Sequence, residues 1–114
     1  MKKKFRLTRT SDIQRVQRHG RSHPHSLVVV VVLETGEPGT RVAVTAGKRI
    51  GGAVQRNRAK RLLREAMREV YPSITRGSDI LLIARKSLLA APLSELKNSL
   101  TKLLHDADLI QNND

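Results

Sequence analysis

The sequence predicts an α+β fold: a two-layer sandwich in which helices pack on a single sheet. Three observations carry this prediction: five consecutive valines within residues 27–33, a helical repeat of apolar residues from Ala59 onward, and a leucine stripe near the end of the chain. The first has the β-branched composition of a strand buried on both faces. The other two have the spacing of helices with one buried face. A chain of 114 residues fits one domain and buries roughly two thirds of the surface its unfolded form exposes, so a single core is expected.

Taken in order, Thr10 or Ser11 can cap a short first helix, Ile13 and Val16 form its apolar i, i+3 pair, and His19-Gly20 ends it. Arg15 and Arg18 give that helix a basic outer face. After the polar GRSHPHS comes the strand at 27–33, then ETGEPG, a turn by its two Gly and its Pro, then a second strand at 41–46, RVAVTA. These two strands are expected to form an antiparallel hairpin. Apolar residues at 59, 62, 63, 66, 67 and 70 predict an amphipathic helix that runs to about Tyr71, where Pro72 stops it. DILLIA at 79–84 is a further buried strand, and Leu93, Leu96, Leu100, Leu103 and Leu104 form the buried stripe of a last helix. Residues 1–7 are expected to be a basic N-terminal arm, with Lys2 to Lys4 disordered until they settle on RNA, and 107–114 a frayed tail.

Charge is distributed unevenly. Residues 1–68 carry 17 Lys or Arg against four acids, a net +13, whereas residues 69–114 carry five against six, a net −1. Such self-repulsion opposes compaction and points to a polyanionic partner, with nucleic acid the leading class and an anionic membrane the second. There is no cysteine, which excludes a disulfide framework and a thiolate metal site. The basic N-terminus has no apolar segment after it, which argues against a secretory signal. The longest apolar run is seven residues, against about 20 for a membrane-spanning helix. The expectation is a cytoplasmic protein with no membrane partner and no small-molecule substrate.

The basic helix reads QRNRAKRLLREAMR at 55–68, with Arg56, Arg58, Lys60, Arg61, Arg64 and Arg68 against one acid, Glu65. Its apolar arc spans about 140°, and the opposite arc holds Asn57, Lys60, Arg61, Arg64 and Arg68 in a ridge about 16 Å long. A solvated face usually mixes signs, because like charges at i, i+4 cost a few tenths of a kcal/mol. Lys60/Arg64 and Arg64/Arg68 are such pairs, so the pattern points to a bound anion. Arginine's planar fork suits phosphate, and Asn57 can reach a base edge or a 2′-hydroxyl. Upstream, GKRIGGAV places Lys48 and Arg49 beside three glycines; it matches neither a P-loop nor GxGxxG. It is either a close-approach loop that delivers two cations or an ordinary turn. Phe5 and Tyr71 are the only aromatics, too few for a base-stacking platform, so phosphate and shape reading should dominate.

Little suggests a self-contained enzyme. Asp12, Glu34, Glu37 and Glu65 are the only acids in the basic half and do not read as a converging metal set. His19, His23 and His25 cluster in HGRSHPH, where an acid–base or metal role competes with incidental clustering in a polar loop.

The stretch KRIGGAVQRNRAKRLLREAMR at 48–68 resembles the signature of the bacterial ribonuclease P protein subunit. The family's R-N-R-x-K-R-x-x-R-E pattern is matched by Arg56, Asn57, Arg58, Lys60, Arg61, Arg64 and Glu65. RLTRTSDIQRVQRHG, RVAVTAGKRIG and DILLIARK extend the likeness over nearly the whole chain. The resemblance implies a single RNA-binding domain over 1–114 with the order α-β-β-β-α-β-α, an extra short strand near residues 21–24, and a left-handed βαβ crossover where most are right-handed. It also implies a non-catalytic subunit, with the chemistry in a large RNA that uses Mg2+ to cut the 5′ leader from precursor tRNA. Lys48, Arg49, Arg56, Asn57, Arg58, Lys60, Arg61, Arg64 and Arg68 would contact ribonuclease P RNA. A cleft between the sheet and the first helix would hold the leader, with Ile13, Gln17, Val30 and Thr45 as candidates. This sequence departs from the family's DFxxVF pattern on the first helix: Asp12, Ile13, Val16 and Gln17 stand there without an aromatic. The rival readings are a generic ribosomal or RNA-chaperone protein and a protein-only nuclease using His23 and His25.

Overall fold

The computed structural model describes residues 5–111. Along them run α1 (Thr10–His19), β1 (Arg21–Pro24), β2 (Val28–Glu34), β3 (Thr40–Thr45), α2 (Ala53–Val70), β4 (Ser78–Ala84) and α3 (Leu93–Asp106). This is the α-β-β-β-α-β-α order, with the short strand where the resemblance implied it. Residues 1–4 of the expected arm and 112–114 of the expected tail lie outside the described residues.

The sheet has the spatial order β1-β2-β4-β3. β4 pairs antiparallel with β2, from Val28↔Ala84 to Glu34↔Ser78, and parallel with β3, from Thr40↔Ser78 to Thr45↔Ile83. The expected hairpin between the valine strand and β3 is therefore corrected, because β4 lies between them. A strand buried along nearly its whole length, as β4 is, needs a ladder on each edge to satisfy its backbone and cover on each face. The 35–39 turn arches over the entry to β4 and rests on Gly77, where a Cβ would stand 1.7 Å from the Glu37 carbonyl oxygen. Parallel neighbours β3 and β4 are joined through α2, which gives the βαβ crossover.

Side-chain alternation sorts the sheet into two faces. Val28, Val30, Val32, Val42, Ile80, Leu82 and Ala84 pack under α2 and α3, against Ala59, Leu63, Met67, Leu96, Leu100 and Leu104 among others. On the opposite face Val31, Ala43 and Leu81 meet Leu7 and Val16. The sheet and the α2/α3 pair are thus the two main layers, while α1 crosses the other face. Burial of the valine strand on both faces follows from that placement.

Three local expectations are corrected. Arg9, with no side-chain cap, is the N-cap of α1, and Thr10 is already helical. The helix needs no side-chain start signal because the preceding chain is pinned: the Leu7 N–H donates to the Val42 carbonyl at 2.8 Å. For the same reason residues 5–7 are not a free arm; Arg6 pairs with Val42 on the outer edge of β3, and Leu7 is buried. Nor is the tail frayed over 107–111. Leu109 is fully buried, its carbonyl accepts from the Thr75 N–H at 2.8 Å, and Ile110 bridges Ile74.

Candidate nucleic-acid interface

α2 divides into an apolar and a cationic side. Ala59, Leu63, Ala66, Met67 and Val70 are buried and Leu62 is partly buried against the same core. Asn57, Arg58, Arg61 and Arg68 are exposed, and Arg56, Lys60 and Arg64 are half-buried. Long stems lying against the helix account for part of that half-burial, and in Arg56 the burial extends to the guanidinium Nε. Among the described residues none of these cations makes an ion pair; Arg15, Arg41, Arg76 and Lys97 do, and other cations outside the helix, Arg18, Arg21 and Arg85 among them, do not.

Before α2 a short 3-10 turn, Lys48–Ile50, carries Lys48 and Arg49 outward while Ile50 packs against the core. Gly51 follows with φ 140°, a conformation that a residue with a Cβ rarely adopts. In form this is an ordinary turn, and its two exposed cations lie just before the N-terminus of α2. The first turn of α2 has no acid and no side-chain cap, leaving its free N–H groups and positive dipole end uncompensated. The Arg56 Nε is buried without an acceptor among the described residues, which costs stability in the free protein. Burial, and then the positive charge of Arg6, holds Arg64 below the usual guanidinium range.

The other candidate surface lies between α1 and the sheet. Ile13 packs against the cluster on this face, and Gln17, four residues on and on the same side of the helix, is exposed. Alternation from Ala43 puts Thr45 on this face, half-buried. Its neighbours in register are Ile83 and Val29, both partly buried, so an open aliphatic row runs beside α1. Val30 is corrected: it is fully buried on the opposite face, under α2 and α3. In a run buried on both sides the sequence carries no parity, so Val29 and Val30 are indistinguishable along the chain.

α1 is fastened to the sheet by four charged side chains. Arg41 forks onto the buried Asp79, Nε to Oδ1 at 3.0 Å and Nη2 to Oδ2 at 2.9 Å. Asp12 accepts from Arg15 Nη2 at 3.0 Å and lies 3.5 Å from Arg41 Nη1. The Asp79 contact holds the Arg41 guanidinium above its ordinary range. A cleft of about 750 Å3 opens beside this group, lined by Phe5, Leu33, Glu34 and Glu37 as well as Arg15, Arg41 and Asp79. It contains no ridge cation and none of the four leader candidates, and its charge is mixed.

The Ribonuclease P family model matches residues 1–108. The chain belongs to the ribonuclease P protein family. It is 43% identical to the ribonuclease P protein component of Symbiobacterium thermophilum, with 97% of each chain covered. It is 37% identical to that of Limosilactobacillus fermentum, covering 97% of this chain and 98% of the other. The solved RNase P protein of Staphylococcus aureus matches with TM-score 0.81 at 28% identity, over 94% of this chain and 98% of that one. That of Thermotoga maritima gives TM-score 0.79 at 26% identity, with the same coverage.

The family pattern from Arg56 to Glu65 falls within α2, on the helix that carries the cationic side. The histidines of HGRSHPH differ in their surroundings. His19 is exposed at the end of α1, whereas the His25 Nδ1 accepts from the Leu27 N–H at 3.1 Å and its Nε2 lies 3.3 Å from Ser99 Oγ. His25 thereby ties the β1–β2 turn to α3. The sequence does not reveal Arg6 as a neighbour of the ridge or the Arg41–Asp79 pair, since both depend on pairing between distant segments.

Proposed function

We propose that the protein is the non-catalytic component of a ribonuclease P ribonucleoprotein. It binds the catalytic RNA through α2 and the Lys48–Arg49 turn, and it holds the 5′ leader of precursor tRNA between α1 and the sheet. The one-sided gathering of charge carries this reading: eight Lys and Arg lie along α2 and its preceding turn, opposite the buried side of the helix, and none of them has an acidic partner among the described residues. A row of cations that destabilises the free protein is accounted for by phosphates that neutralise it.

In this reading Mg2+ acts on the RNA. Asp12 and Asp79, the carboxylates beside α1, are engaged by arginines, which supports placing the metal on the RNA. The leader passes along Ile13, Gln17, Thr45 and the Val29/Ile83 row, with aliphatic contact in place of ring stacking. The complex works in the cytoplasm; no helix among the described residues is long and apolar enough to cross a membrane.

The test combines the protein, a ribonuclease P RNA and precursor tRNA at low Mg2+, with each component also assayed alone. Leader removal should be rescued only in the mixture, and Arg61→Ala or Arg64→Ala should weaken assembly without unfolding the protein. Cleavage by the protein alone would establish the protein-only nuclease instead. Binding without a leader-dependent gain would leave a generic RNA-binding protein.

A further inference from the structure

We propose that Arg6, carried by the segment paired to the outer edge of β3, forms with Arg64 an additional binding point for an RNA phosphodiester, beside the α2 ridge. The proposal rests on the RNA-binding reading above and adds a residue that lies outside the helix.

The geometry begins with alternation. Arg6 pairs with Val42 in parallel register, and Leu7, the next residue, is buried in the cluster on the α1 face. Successive side chains of extended backbone point to opposite faces, so Arg6 projects towards the face that carries α2.

Its level along α2 follows from Tyr71 and Phe5. Tyr71, which closes α2, donates its hydroxyl to the Thr40 carbonyl at 2.6 Å, at the start of β3. The Phe5 ring lies 4.8 Å from the Tyr71 ring. From there β3 and its paired segment run back along α2. Val42, the partner of Arg6, is two residues or about 7 Å beyond Thr40, which corresponds to somewhat more than one helical turn back from Tyr71. That is the stretch bounded by Arg64 and Arg68. The action of Arg6 on Arg64 agrees with this placement.

Neither Arg6 nor Arg64 forms an ion pair among the described residues. Two guanidinium groups brought together by tertiary folding, with no carboxylate between them, repel each other in the free protein. A phosphodiester seated between them removes the repulsion and accepts charge-assisted hydrogen bonds from both forks. That phosphate belongs either to the RNA subunit or to precursor tRNA, and the experiment separates the two.

Arg6→Gln and Arg6→Lys proteins are compared with wild type in three measurements. These are affinity for ribonuclease P RNA between 50 and 200 mM salt, affinity of the assembled holoenzyme for precursor tRNA over the same range, and thermal midpoint of the free protein. For Arg6→Gln we expect several-fold weaker binding, a plot of log affinity against log salt shallower by about 0.9, and a midpoint equal to or above that of wild type. Arg6→Lys, which keeps the charge, should keep the slope. A change with the RNA subunit places the phosphate there, and a change confined to precursor tRNA places it on the substrate. Slopes unaltered for both RNAs overturn the proposal, as does an Arg6→Lys slope as shallow as that of Arg6→Gln. A wild-type protein that binds neither RNA would overturn the RNA-binding reading itself.

Discussion

Tyr71 joins three parts of the molecule with one residue. Its backbone N–H closes α2 onto the Met67 carbonyl, its ring meets Phe5, and its hydroxyl donates to Thr40. Burial pushes its phenol above the ordinary value, so the folded protein keeps a proton that the unfolded chain gives up. The resulting stability is complete below pH about 10 and is lost as pH rises through the higher folded value. Tyr71→Phe should cost about 1 kcal/mol at neutral pH and lessen the alkaline loss of stability, as read by denaturant titration at neutral pH and above pH about 10. A variant as sensitive to alkali as wild type would remove Tyr71 from that account. Leu63, fully buried, gives a second test: Leu63→Ala should cost about 2–5 kcal/mol. Leu62→Ala should cost less, because Leu62 is only partly buried, and equal losses would show that the rim of α2 is packed as tightly as its centre.

At the scale of the element, the decisive feature is the insertion of β4 between β2 and β3. A hairpin is the natural reading of two apolar strands joined by a short Gly-rich turn, and nothing local contradicts it. The preference for β4 comes from a strand that offers apolar side chains on both faces and can pair on both edges. In that arrangement the Glu37 backbone leaves no room for a Cβ at Gly77. Gly77→Ala must displace backbone, so it should destabilise the protein by about 1–3 kcal/mol or more, measurable as a lowered midpoint in chemical denaturation. A neutral result would mean that the 35–39 turn can lift away freely. On the other face, the position of α1 is held by the Val16 cluster and by the Asp12, Arg15, Arg41 and Asp79 group. These contacts set the distance between Ile13 and the aliphatic row.

For the whole molecule, the excess charge of residues 1–68 acts in opposite directions on stability and on binding. Salt screens the self-repulsion of the free protein, so its thermal midpoint should rise with ionic strength. If six to ten phosphates are contacted, RNA affinity should fall by about 10³ to 10⁵ between 50 and 200 mM salt. Calorimetry on the protein and filter binding with the RNA read the two trends separately. Affinity insensitive to salt would count strongly against an interface made by the α2 cations.

Most of α2 is legible in the amino-acid sequence alone. Its buried residues, its cationic side and its end near Pro72 come from a repeat among residues close in sequence, and burying one face of a helix fixes where the other points. The strands are legible for the same reason, as is the short β1 through the family likeness. Strand order, the parity of the valine run and the docking of residues 5–7 and 107–111 are not. Each is a choice among distant partners that are nearly equivalent locally, and it is settled by the packing of the entire core. The same holds for the pairing of Arg41 with Asp79 and for the approach of Arg6 to Arg64. The chemistry of the cationic helix is written along the chain, whereas the neighbours that complete its surface are supplied by long-range pairing.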